Sequence, residues 1–158
     1  MSFTLPECYK IVQVAPTAAA DAVTYDTISC KDAHKVWFII QHQGANDTDI
    51  TMSLVESTDV ANSTTTAVTA TVPIWVDTNA GTASDTLVRQ TDAASYVINT
   101  GVGTDQLVVI EWDPAKFSAG YDCIQLADSG GNGSNYLTAL AIIDTRYKGA
   151  SQQTVITD

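Results

Sequence analysis

Two histidines, three cysteines, three tryptophans, the carboxylates Glu111 and Asp113 and two glycine-rich turns are the residues of this chain whose types could do chemistry. His34 and His42 fall on one face of an extended segment, but eight residues at about 3.3 Å each put them roughly 26 Å apart. They cannot share one metal or one proton, and solvent exposure at the two strand ends is the expectation for both. Glu111 and Asp113 project from one side of a strand about 7 Å apart, a spacing used by glycosidase acid–base pairs. With 18 acidic residues in the chain, that coincidence is weak. Asn46-Asp-Thr-Asp offers calcium-type oxygen ligands, yet it lacks the glycine and terminal glutamate of the helical calcium loop, and an Asn-Asp turn accounts for it. The same holds for Asp77-Thr-Asn. Gly101-Val-Gly-Thr and Gly130-Gly-Asn-Gly-Ser are glycine-rich without the helix or lysine that a phosphate cradle needs. No serine sits in a Gly-x-Ser-x-Gly elbow, and no cysteine has a histidine partner that the sequence recommends. Cys8, Cys30 and Cys123 are odd in number and lack metal-ligand spacing, so neither a disulfide framework nor a zinc site is indicated. No catalytic residue, cofactor or metal is therefore expected.

Trp37, Trp75 and Trp112 lie in strand-like runs. Such rings can stack on sugars, which keeps a carbohydrate-binding module as the alternative to burial in a core or between subunits.

The elements that carry these residues read as strands. In Val36-Trp-Phe-Ile-Ile, apolar side chains point both ways from an extended backbone, so the run is expected to be buried on both faces. Ile50, Met52 and Leu54 alternate with Thr51 and Ser53, a strand with one wet face. The two segments read as strand, turn, strand. Gln106–Asp113 is a second run that reads as buried on both faces. Other strands are expected at Lys10–Ala15, ended by a loop at Pro16, and at Val23–Ser29 and Ala67–Val76. Pro73 marks the last of these as an edge or a bulge, because proline lacks the ladder donor. Further strands are expected at Thr86–Gln90, Ser95–Asn99, Tyr121–Ala127 and Tyr136–Asp144; the last could also be a short helix, but the preceding glycines, its length and its β-branched end favour strand. Asp113-Pro-Ala-Lys can cap and start one helical turn. Nine or ten strands without a long amphipathic helix predict an all-β, single-domain antiparallel sandwich, jelly-roll-like or immunoglobulin-like. It is expected over 1–148, with an N-terminal arm over 1–8 and a tail over 149–158.

A chain of 158 residues suffices for one full core. Its 22 threonines suit pleated surfaces. The net charge is −11, and between Val36 and Ala115 Arg89 is the only Lys or Arg against ten acids. Nucleic acid and anionic membranes are poor partners for that surface. No segment is apolar for long enough to span a bilayer and no standard signal is evident at the N-terminus, so cytoplasmic synthesis is expected.

The runs Lys35-Val-Trp-Phe-Ile-Ile-Gln-His-Gln-Gly, Leu107-Val-Val-Ile-Glu-Trp-Asp-Pro-Ala, Gly120-Tyr-Asp-Cys-Ile-Gln-Leu and Ala141-Ile-Ile-Asp-Thr-Arg-Tyr-Lys-Gly span about half of the chain. They resemble small structural proteins of tailed bacteriophages that are encoded among head genes. The resemblance implies a capsid decoration or cement protein, made in the host cytoplasm and held on the virion surface. Its partners would be the major capsid protein lattice and further copies of itself, with trimers at threefold positions as one fitting arrangement. Phe3, Leu5, Val155 and Ile156, apolar residues on polar ends, are the candidate contact residues.

Overall fold

The computed structural model describes residues 4–44, 48–81, 83–99, 105–147 and 154–156. A one-turn helix α1 (Leu5–Cys8) leads into β1 (Lys10–Ala19), followed by β2 (Ile28–Ser29), β3 (Ala33–Gly44), β4 (Ile50–Ser57) and β5 (Thr65–Ala67). Then come β6 (Ile74–Thr78), β7 (Val88–Arg89), β8 (Ser95–Ile98), β9 (Asp105–Trp112), a 3-10 turn (Pro114–Lys116), β10 (Cys123–Gly130) and β11 (Asn135–Thr145). These strands form two antiparallel sheets, one ordered β1-β11-β3-β9-β6-β7 and the other β2-β10-β4-β5. β8 lies along the same edge of β4 as β5, at the strand's other end. The chain is an all-β sandwich. Eleven strands are present among the described residues, two of them only two residues long, where nine or ten were expected.

Period-2 patterning sets the core. From the first sheet, Val36, Phe38 and Ile40 of β3 stand in register beside Trp112, Ile110 and Val108 of β9. On their other side lie Ile143, Ala141 and Ala139 of β11. Ile50, Met52 and Leu54 of β4 and Leu126 of β10 close over them from the second sheet, all within 1% of complete burial. Each such side chain contributes about 1.5–3 kcal/mol by leaving water. Asp113 caps the 3-10 turn as its sequence predicts, accepting the Ala115 N–H at 3.0 Å, and Phe117 then packs edge-on against Trp112 at 5.1 Å.

Several sequence expectations are corrected. β3 and β4 do not pair: the chain crosses from one sheet to the other between them, β3 pairing with β9 and β11 and β4 with β10, β5 and β8. β1 runs through Pro16, with register shifts on either side of Ala15. It is an edge strand, where a missing N–H costs no ladder bond. Pro73 sits just before β6, so β6 lies inside the sheet between β9 and β7. Of Val23–Ser29, only Ile28 and Ser29 are strand. The helix Leu5–Cys8 was not anticipated; Pro6 at its start is what one turn tolerates.

Candidate interaction face

The two runs expected to be buried on both faces are buried on one. In β3 and β9 every second residue is fully buried, while the alternate residues, Trp37, Ile39, Leu107 and Val109, are only half-buried. They point to the outside of the six-stranded sheet. The register brings them into rows with their neighbours: Ile11–Ile142–Trp37–Glu111 in one, Gln13–Leu140–Ile39–Val109–Trp75 in the next, and Thr138–Gln41–Leu107–Asp77 beyond. Leu140 is 40% exposed and Ile11 43%. The result is a contiguous apolar centre bordered by glutamines, Thr138 and Tyr136.

Part of the charge on this face is paired within it. Glu111 accepts from Lys35 Nζ and, at 2.9 Å, from the Trp37 indole N–H. That contact raises the Lys35 ammonium above its ordinary value. Asp113 adds a longer contact to Lys35 at 3.9 Å. The acid pair of the sequence thus converges on one lysine. Arg89 lies 4.8 Å over the Trp75 ring and pairs with Asp92. Asp77, on the same side, is 4% exposed.

The other outer face differs in kind. Thr51, Ser53, Gln125 and Ser129, with Val55, Val97 and Ala127 among them, line the outside of β4, β8 and β10, a more polar face that suits contact with water.

Three further places hold polar groups of interest. His42, expected to be exposed, is fully buried, because β3 continues past Ile40 and carries the ring inward beside Gln106 and Asn135. Burial holds its imidazole below the ordinary histidine value, while Asn135 and Asp105 pull the other way. Among the described residues no hydrogen bond of acceptable geometry reaches either ring nitrogen or Asn135 Oδ1. His34 is exposed at the opposite end. There, Lys31, His34, Asp113, Tyr121 and Arg146 border an open cleft of about 380 Å³ whose charges are mixed in sign. Cys30 and Cys123 are buried thiols. Burial pushes both up, Cys123 to about 12, which removes their nucleophilic form at neutral pH. No group of three or more metal-ligating side chains occurs among the described residues.

Leu5 is 46% exposed on α1, which leads into the edge strand of the six-stranded sheet. Val155 packs against the core and its carbonyl accepts the Ser29 N–H at 2.7 Å, beside the edge of the other sheet. Ile156 next to it is 43% exposed. Phe3, the Asn46-Asp turn and Gly101-Val-Gly-Thr lie outside the described residues. Sequence reasoning overlooked the outer sheet face as a site, although the two doubly apolar runs were its signal.

No family model, no curated protein and no solved structure matches the chain.

Proposed function

We propose that this chain is a non-enzymatic structural protein of a virion, a decoration or cement protein that binds the outside of a phage head and stabilises it. The observation that carries the reading is the contrast between the two outer faces of one rigid sandwich. One is a water-facing Ser/Thr/Gln surface and the other a charge-paired apolar surface of the kind that marks protein contacts. The resemblance of four framework runs to phage head proteins supplies the setting. An overall charge of −11 keeps such a protein soluble at high density and off nucleic acid. The partner is the major capsid protein lattice. Purified protein is expected to co-sediment with heads lacking it and to raise their melting temperature in calorimetry. Absence of the protein from purified virions, or failure to bind any head form, rejects the proposal.

A second reading, a carbohydrate- or receptor-binding sandwich of a fibre or cell surface, is favoured by one observation. Trp37 and Trp75 both stand on the outer face, two strands and one row apart, about 12 Å by sheet spacings. Glycan-array binding that disappears in Trp75→Ala would support it, and an array without hits would remove it. Trp112, 0% exposed in the core, takes no part.

A further inference from the structure

We infer that the outer face of the six-stranded sheet is a self-association surface, on which a second copy of this chain packs sheet to sheet about a two-fold axis. The inference stands on the face alone: with a second copy covering it, a phage head is met by the remaining surfaces of the dimer.

Three features select a second copy as the occupant. A two-fold interface mates a patch with itself, so any net charge on the patch meets the same charge. On a chain of net charge −11 that condition excludes most of the surface. The outer face meets it in its central rows. Ile142 and Trp37, then Leu140, Ile39, Val109 and Trp75, carry no charge, and the ionic groups beside them are paired within the chain, Lys35 with Glu111 and Arg89 with Asp92. The acids Asp77, Asp105, Asp113 and Asp144 point the same way but stand in the rows beyond this centre or at their ends.

The size also fits. The five longer strands span four gaps of about 4.8 Å, and about eight residues of shared length at about 3.3 Å make a face of roughly 19 by 26 Å. That is about 500 Å² in projection, before the side chains standing on it are counted, against about 800 Å² per partner in a standard interface.

The third feature is patterning. A strand that is apolar on both sides is the signature of a sheet covered on both sides. β3 and β9 have that pattern, yet only their inner residues are fully buried. Face-to-face packing at about 10 Å would bury the other set.

Sedimentation equilibrium of the full chain without phage heads tests this directly. The expected result is a concentration-dependent dimer at twice the chain mass. Leu140→Lys, at a position already 40% exposed, and Val109→Lys each set a charge against its symmetry mate. Each should weaken the dimer at least about 30-fold, the effect of losing an interface hot spot. Val97→Lys, 46% exposed on the other sheet, should leave the dimer intact. Unchanged circular dichroism and melting of the monomeric Leu140→Lys protein separate loss of association from loss of fold. A wild-type chain that stays monomeric at the highest soluble concentration overturns the inference, as does a trimer or a dimer that survives both lysine variants. A monomer that still binds phage heads would overturn it while leaving the proposed function standing.

Discussion

His42 is the side chain whose burial is hardest to justify by its own chemistry. It is 0% exposed with both ring nitrogens unsatisfied among the described residues, and each such buried group costs about 1–3 kcal/mol. Its inward position follows from the length of β3, because every second residue from Val36 onward enters the core and the strand ends only at Gly44. Exposure was expected because a polar residue near a strand end is usually outside; the strand's true end could not be read from the run alone. The folded-state value of His42 lies below its ordinary 6.5, so the unfolded chain binds the proton more readily. Stability contributed by keeping the ring neutral is therefore fully present above the unfolded value of 6.5 and is lost progressively as pH falls from there through the lower folded-state value. His42→Leu is expected to raise stability at pH 7 by about 1 kcal/mol or more. It should also flatten the decline between neutral and mildly acidic pH. Urea titrations of both proteins at a series of pH values give the slopes, and parallel slopes would refute the assignment.

At the scale of elements, the strands legible in the sequence were the longer apolar runs bounded by turn residues. β3, β9 and β11 carry several β-branched side chains each, which tips even the β11 run, where a short helix was the alternative, toward strand. Their pairing was not legible. β3 and β4 follow one another closely and look like a hairpin, but nothing local distinguishes a turn that folds a strand back in its own sheet from one that carries it to the opposite sheet. That choice is made by contacts far along the chain, such as Ile40 with Ala139 and Leu54 with Leu126. The outer face was half legible, for its apolar residues were seen and their cover was assigned to the chain itself. One turn shows how tightly the second sheet is held. β10 ends at Gly130 with φ +86°, and a Cβ there would strike the Asp49 carbonyl just before β4 begins. Both the left-handed backbone and the close approach demand glycine. Gly130→Ala should cost about 2–3 kcal/mol, read as a lower midpoint in chemical denaturation; an unchanged midpoint would contradict the geometry.

Over the whole molecule the basic side chains gather at one end, where they stand among the acids Asp32, Glu111, Asp113, Asp122 and Asp144. Lys31, Lys35, Lys116 and Arg146 lie at the end where β3 begins and β9 and β11 finish. Asp21, Asp49, Asp105 and Asp128 lie toward the other end, where no Lys or Arg occurs among the described residues.

The place of β11 has a different consequence, one of timing. It is the last strand in the sequence, yet it sits between β1 and β3, pairing with Lys10–Ala19 on one side and Ala33–Gly44 on the other. A growing chain on the ribosome therefore carries β1 with no sheet partner and β3 with one long edge open until Asn135–Thr145 has been made. Closing β1 onto β11 also means joining segments more than a hundred residues apart, a slow, non-local step. Nascent chains stalled before residue 135 should be digested by protease, and chains stalled with β11 free of the tunnel should resist; resistance at the earlier stage would contradict the sheet order. Birth and folding are thus separate events for this protein, and the wait leaves one long edge of the apolar strand β3 uncovered until Asn135–Thr145 has emerged.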